Sequence, residues 1–284
     1  MAETESHLSA SDIEATAVEA RWIIEEASGF VGPDLIMGLD ELATVRSVAH
    51  LDSMVGRRLA GEPIQYVLGH WSFRSLDLLC DRRVLIPRPE TEQVVGVALE
   101  RLGEITRSRP EGWVPTVVDL GTGSGAIALS LAVEHRRAEV WAVDLSADAV
   151  AVARANLAGL GMAGAKVRVV EGSWFDALPG SLEGAIDLAI TNPPYIGASE
   201  ELPASVVDWE PAGALVSGPS GLEAYRELMP QARRWLAPDG VLVAEIGSSQ
   251  GDAVTELARS CGFVDVEILT DHAGLDRTLS ARQP

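Results

Sequence analysis

The sequence predicts an α/β protein: a mostly parallel, doubly wound sheet of seven strands, preceded by a small helical domain and a β-hairpin connector. Three observations lead there. From Thr116 onward, short β-branched apolar runs alternate with segments of helical periodicity. A glycine-rich turn, Asp119-Leu120-Gly121-Thr122-Gly123-Ser124-Gly125, separates the first such run from the first such helix. The opening residues place apolar side chains at helical intervals instead.

In the predicted helical domain, residues 1–61, Ile13, Ala17, Ala20 and Ile24 recur at helical spacing behind a cap at Ser11 or Asp12. Leu39, Leu42, Val45, Ala49 and Leu59 suggest a second helical stretch, entered through Gly32-Pro33 and Gly38. His7 and His50 are isolated, as expected of surface or structural residues. Residues 62–86 change character: Tyr66-Val67-Leu68, Trp71 to Phe73 and Leu76 to Cys80 are short apolar runs broken by Gly69, which predicts the hairpin. The prolines of Ile86-Pro87-Arg88-Pro89-Glu90-Thr91-Glu92 exclude regular helix until Thr91, an N-cap for a helix over 92–102; the other reading is a substrate-side loop.

The third predicted domain spans 87–284. Strands are expected at Thr116 to Leu120, Glu139 to Val143 (ending at Asp144), Val167 to Val170, Ile186 to Thr191 and Val241 to Ile246. Helices are expected over about 124–134, 147–158, 221–236 and 250–261. Two last strands, near 263–269 and 277–281, should pair antiparallel, because only the short segment Thr270 to Asp276 joins them.

Composition narrows the function. At about 150 residues per domain, 284 residues and 47% apolar side chains support two cored units. The 22 basic against 42 acidic side chains, a net charge of −20, argue against a clamp on nucleic-acid phosphates, which works through Lys and Arg. Residues 1–77 alone carry 13 acidic and 5 basic side chains, a net of −8, so the helical module is a solvated cap or a docking surface for a basic partner. Two cysteines, Cys80 and Cys261, suffice for neither a disulfide framework nor a cysteine-based zinc site, and no His-rich cluster predicts a metal. Met1 to Ser6 lacks the basic start and apolar stretch of a secretory signal, and Val94 to Leu99, among the longest apolar runs, is far short of a membrane span. A soluble cytoplasmic protein with no membrane association, monomeric by default, is the expectation.

Two motifs carry chemistry. Gly121, Gly123 and Gly125 let the backbone turn sharply and approach a ligand at the positive end of the following helix. Asp144, 25 residues after Asp119 at the end of the second strand, is placed to accept from vicinal ribose hydroxyls. The G-x-G-x-G spacing behind an acid differs from the dinucleotide pattern G-x-G-x-x-G. It resembles instead the S-adenosylmethionine loop of class I methyltransferases.

The second motif is Asn192-Pro193-Pro194-Tyr195, at the end of the fourth strand, where open α/β sheets bind ligands. Asn192 offers a carbonyl acceptor, the prolines a rigid turn without N–H groups, and Tyr195 a flat face. Two acceptors and a plane suit an NH2 group on a conjugated system: an amide, or the exocyclic amine of adenine, cytosine or guanine. An amide nitrogen is a poor nucleophile because its lone pair is delocalised, as the ~18–20 kcal/mol rotation barrier of a peptide bond shows. Acceptors holding both N–H bonds, one out of plane, would turn that lone pair toward a sulfonium methyl, so that catalysis is alignment plus electrostatics.

Taken together, the sequence resembles the peptide chain release factor glutamine methyltransferases. The resemblance rests on Gly61 to Gly69 (GEPIQYVLG), Leu85 to Glu92 (LIPRPETE), Asp119 to Gly125 and Asn192 to Tyr195, with Trp209-Glu210-Pro211, Ala214-Leu215, Gly221-Leu222 and Tyr225-Arg226 in support. It implies a class I, Rossmann-like methyltransferase fold and methylation of the glutamine N5 in the Gly-Gly-Gln motif of class 1 release factors. S-adenosyl-L-methionine would be the donor and S-adenosyl-L-homocysteine the product. It further implies that Asp119, Gly121, Thr122, Gly123, Ser124, Gly125, Asp144 and Asn192 bind the cofactor, with Trp174 beside the adenine. Asn192, Pro193, Pro194 and Tyr195 would hold the glutamine, and Asn192, Pro193 and Tyr195 would serve catalysis. Arg88, Glu90 and Thr91 would shape the substrate mouth, and the N-terminal helices would dock the release factor. Ser173 departs from the family, which often has an acid there to receive the adenine amino group. Two rivals stand beside this reading: a DNA or RNA amino methyltransferase acting on a flipped base, disfavoured by the charge, and a nucleotide-binding module or NAD-dependent dehydrogenase, disfavoured by the loop spacing and the NPPY motif.

Overall fold

A computed structural model describes residues 2–9, 16–38 and 42–284 as two compact units, Met1–Trp71 with Pro203–Trp209, and Ser72–Leu202 with Glu210–Pro284. The proposed caps Ser11 and Asp12, and Ile13 and Leu39, lie outside the described residues.

The first unit is helical: α1 (Ala2–Ser9), α2 (Thr16–Ser28), α3 (Pro33–Met37), α4 (Val45–Leu59) and α5 (Ile64–Leu68). Leu8, Ala20, Ile23, Met54, Val55, Ile64 and Val67 form its core. Helix α4 starts at Val45 because the Thr44 hydroxyl accepts from Ser47 N at 3.0 Å, which leaves Leu42 in the preceding segment and 98% exposed. Beside this core the Arg58 guanidinium grips both oxygens of the buried Glu19 carboxylate, at 2.6 and 3.2 Å.

The predicted hairpin connector is partly helix. Ile64 and Val67, one turn apart, face the helical core, and Gly69 ends α5 at φ +83° with its N–H on Gln65 O. Only then does the chain form the hairpin β1 (His70–Phe73) and β2 (Leu76–Leu79). The start of α6 also differs from expectation. The helix runs Pro89–Ser108 from an extended Arg88 whose side chain makes no capping bond, with Pro89 in the first turn, where a missing N–H costs nothing. Thr91 is therefore inside the helix and buried, free to use its hydroxyl elsewhere.

In the second unit β3 (Thr116–Leu120), α7 (Ala126–Glu134), β4 (Glu139–Asp144), α8 (Ala147–Gly159), β5 (Val167–Glu171) and β6 (Ile186–Thr191) alternate as the sequence predicts. Two short strands, β7 (Ile196–Gly197) and β8 (Val216–Gly218), pair with each other; α9 (Ala204–Val207), which falls in the first compact unit, and α10 (Ala212–Leu215) lie between them in sequence. Then come α11 (Glu223–Trp235), β9 (Leu236–Glu245), α12 (Gly251–Ser260), β10 (Val264–Thr270) and β11 (Asp276–Arg282).

The seven-stranded sheet has the order β10-β11-β9-β6-β3-β4-β5. All neighbours are parallel except β11, which runs antiparallel to both β9 and β10. Alternate residues face opposite layers: Val117 joins α6, α7 and α8 side chains, whereas Val118 joins α11 and α12. Strand order reverses at β3, between β4 and β6, so the loops leaving these three strands share one edge.

The glycine-rich loop is braced from beneath by Asn156 of α8. Its side-chain amide donates to Ser124 O (2.8 Å) and Leu79 O (3.1 Å), and its carbonyl accepts from Leu79 N (2.7 Å). Asn156→Ala strands three polar partners and should cost about 3 kcal/mol, lowering Tm by roughly 6–12 °C. A calorimetric melt within about 2 °C of the parent would show the brace to be dispensable.

Candidate active site

The loop after β3 is held by its neighbour strand. Gly121 N and Thr122 N both donate to Val143 O, at 2.8 and 2.9 Å, and Gly123 N donates to Asp144 Oδ2 at 2.8 Å. Gly121 (φ +74°) and Gly123 (φ +55°) adopt backbone that side chains disfavour, and a Cβ on Gly123 would meet nothing within 4 Å. The loop therefore presents bare backbone to open space. Asp144 Oδ1 accepts from Ser146 N at 2.9 Å. Burial pushes its carboxyl up, against the pull of those backbone N–H groups.

Asp119 is fully buried. Its Oδ2 accepts from the Thr122 hydroxyl (2.6 Å) and Ala128 N (3.1 Å), while Oδ1 has no partner. Desolvation pushes its carboxyl from 3.8 up to about 7; the Thr122 and Ala128 hydrogen bonds oppose the rise and the Asp144 charge adds to it. A buried acid with one orphaned oxygen awaits a donor or a cation. Ser124 and Gly125 close the loop, Ser124 with its side chain buried and its carbonyl on Asn156.

On the other side of β3, Thr191 anchors the end of β6 by donating from Oγ1 to Leu120 O at 2.7 Å. Asn192 follows, and its backbone carbonyl lies 3.9 Å from where a Cβ on Gly121 would sit, so the two motifs adjoin. Asn192 Nδ2 donates to Thr91 Oγ1 at 3.2 Å, and its carbonyl Oδ1 has no partner among the described residues. Pro193 is buried and Pro194 half-buried, with both peptide bonds trans. The Tyr195 carbonyl accepts from Gln250 Nε2 (2.8 Å), which also donates to Gly221 O (3.2 Å).

The NPPY turn and the first turn of α6 converge on a residue that the sequence reading missed. Glu245, the last residue of β9, is 1% exposed; its Oε2 accepts from the Thr91 hydroxyl at 2.5 Å and its Oε1 from the Tyr195 phenol at 3.3 Å. The Tyr225 phenol donates to its backbone carbonyl at 2.7 Å. Burial raises the Glu245 carboxyl, opposed by Thr91, the Arg277 guanidinium and Tyr195, and helped by the Glu90 charge. Burial also pushes the Tyr195 phenol up to about 12, so it stays a donor. The signal was in the sequence: a lone acid closing an apolar strand, as Asp119 nearly does and Asp144 does in theirs.

Arg88 forms an ion pair with the buried Glu210, which also accepts from Ile86 N at 3.0 Å. Glu90 is half-buried in the first turn of α6. Trp174 opens a 3-10 turn just beyond β5 with φ +42°, a strained backbone for so bulky a residue, and its ring packs half-buried against the core that holds Phe175. No hydrogen bond connects it to the other predicted residues. Among the described residues no cluster of His, Cys, Asp or Glu could hold a metal, and no helix is long and apolar enough to cross a membrane.

Between about pH 4 and pH 7 folded Asp119 holds a proton that the unfolded chain has released, so its contribution to stability falls as pH rises through that window. Asn at 119 keeps an acceptor for Thr122 and Ala128 but does not titrate. The Tm of Asp119→Asn minus that of the parent should therefore climb from about pH 4 to about pH 7 and level off above. A difference independent of pH would mean an unperturbed carboxyl.

Comparison with known proteins agrees with this geometry. Residues 109–207 match the family model described as "Methyltransferase small domain", and residues 1–69 the "PrmC N-terminal domain". The chain is similar to a structure titled as a methyltransferase from Pyrococcus furiosus (TM-score 0.52, 16% identity, 82% of this chain and 98% of that one), a likeness of fold. It is 42% identical over 284 residues to the release factor glutamine methyltransferase of Moorella thermoacetica, covering 99% of this chain and 96% of the relative. It is 38% identical over 272 residues to that of Burkholderia pseudomallei, covering 94% and 92%. With its class I methyltransferase sheet and a likeness that runs nearly end to end, the chain belongs to the release factor glutamine methyltransferase family.

Proposed function

We propose that the protein transfers a methyl group from S-adenosyl-L-methionine to the side-chain amide nitrogen of the glutamine in the Gly-Gly-Gln motif of class 1 release factors. The observation that carries the reading is the juxtaposition of two half-sites at one sheet edge: an open glycine cradle, and beside it an asparagine with an unclaimed carbonyl in a proline-framed turn.

The cradle fits the cofactor. The orphaned Asp119 Oδ1 is a buried acceptor suited to an ammonium, whose charge would draw the raised carboxyl into its ionised form, and the backbone of Gly121, Thr122, Gly123, Ser124 and Gly125 would line the amino-acid end. Each Asp144 oxygen, with one N–H already bound, keeps a lone pair for a ribose hydroxyl. Exposed Leu145 and half-buried Trp174 supply apolar surface for a planar base. Bound there, the cofactor supplies an electrophilic methyl carbon.

The chain's own part is to bind and orient. Asn192 Oδ1, with the Pro193 carbonyl, would accept the two N–H bonds of the glutamine amide and favour a pyramidal nitrogen. Tyr195 would lie along the amide plane, and the clamp of Gln250 on the Tyr195 carbonyl holds the turn rigid. The amide nitrogen forms the new N–C bond and gives up one proton to solvent, with S-adenosyl-L-homocysteine as the second product. Arg88, Glu90 and Thr91 border the turn's supports, and the acidic helices of residues 1–61 would dock a release factor through its basic, ribosome-facing surface.

Transfer of an isotopic methyl to purified release factors, beside duplex DNA and tRNA, tests the reading. Label should appear only in release factor and vanish when the Gly-Gly-Gln glutamine is replaced. Asn192→Ala should cut the rate by about 10²-fold or more. Label in nucleic acid instead, or near-normal turnover by that variant, would overturn the assignment.

A further inference from the structure

We propose that Glu245 is a positioning residue for this transfer: through the Thr91 hydroxyl it fixes which way the Asn192 amide faces, so that its carbonyl points at the incoming glutamine. This rests on the function proposed above.

Glu245, Thr91 and Asn192 form a three-residue hydrogen-bond chain. The Thr91 hydroxyl has one hydrogen, and at 2.5 Å it goes to the Glu245 carboxylate, which when ionised has none to give. Thr91 Oγ1 can therefore show Asn192 only a lone pair. Asn192 Nδ2 meets it at 3.2 Å with an N–H. Turning the amide over would set Oδ1 against Oγ1, two acceptors with no hydrogen between them. The anion thus selects one of two amide orientations that are equal in shape. The selected one leaves the acceptor oxygen without a protein partner, as a receptor for a substrate NH2 requires. Glu245 is also fixed in its own place, by the Tyr195 phenol on Oε1 and the Tyr225 phenol on its backbone carbonyl. The same carboxylate therefore sets both ends of the NPPY turn.

A neutral amide at 245 would reverse the sense. A Gln Nε2 could donate to Thr91 Oγ1, releasing the threonine hydrogen toward Asn192 and making the flipped amide the better partner. Valine at 91 keeps the shape of threonine and removes the relay altogether.

The test compares Thr91→Val, Thr91→Ser, Glu245→Gln and the double variant Thr91→Val/Asn192→Ala in methyl transfer to a purified release factor, with cofactor affinity measured separately by titration. If the parent enzyme leaves the release factor unlabelled, the proposed function falls and the relay with it. With an active parent, Thr91→Val and Glu245→Gln should lower kcat by about 10- to 100-fold, the range for groups that orient a reacting one, while KM and cofactor affinity stay within about 2-fold. Thr91→Ser, which keeps the hydroxyl, should recover most of the loss. The double variant should be no slower than Asn192→Ala alone, because the relay acts only through Asn192. A Thr91→Val kcat within about 2-fold of the parent overturns the relay. So does a loss confined to KM, or a Thr91→Val penalty that persists undiminished beside Asn192→Ala. Should Glu245→Gln fail to fold, the isosteric Thr91→Val series decides alone.

Discussion

The site depends on the register of one strand. Leu120 of β3 pairs with Val143 of β4 on one side and Thr191 of β6 on the other. That pairing sets the glycine loop, Asp144 and Asn192 at the same height on the same sheet edge, though the chain separates them by tens of residues. A one-residue slip would exchange the two faces of β3, putting Val117 and Val118 each in the wrong core. The hydrophobic layers therefore enforce the alignment that the chemistry uses.

Burial of carboxylates is the second constraint. Asp119, Asp144 and Glu245 close or nearly close their strands, and all three have carboxyls raised by desolvation. Such groups are costly unless hydrogen-bonded. Here the partners are the parts to be positioned: the Gly123 N–H on Asp144, the Thr122 hydroxyl on Asp119, the Thr91 and Tyr195 hydroxyls on Glu245. A misplaced loop would leave an anion bare, so the penalty for disorder is larger than any one hydrogen bond suggests. The cradle and the proline turn are thereby held in shape by the fold's own hydrogen bonds.

The helical unit uses the same physics for a different end. Glu19 is buried and satisfied bidentately by Arg58, tying α2 to α4 around a small core. Breaking one partner of such a pair leaves an uncompensated charge. The exposed acids of that unit are free of this duty and set its surface charge.

The alternation of elements, the loop and the NPPY turn were legible because each is a local pattern: short β-branched apolar runs, glycines at a strand end, prolines that remove N–H groups. The sequence by itself thus determined the fold class, the two motifs and the edge of the sheet that carries them. It misplaced the start of α6, because a proline in a first helical turn reads as a breaker until the preceding residue is seen to be extended and to lead straight into the helix. It took Tyr66 to Leu68 as strand, because five residues are too few to distinguish the two periods. Only the tertiary structure brought Thr91, Asn192 and Glu245 together, from positions 101 and 53 residues apart along the chain. Whether an asparagine presents its oxygen or its nitrogen is decided by the proton on a neighbouring hydroxyl, and no spacing in a sequence encodes where that proton goes.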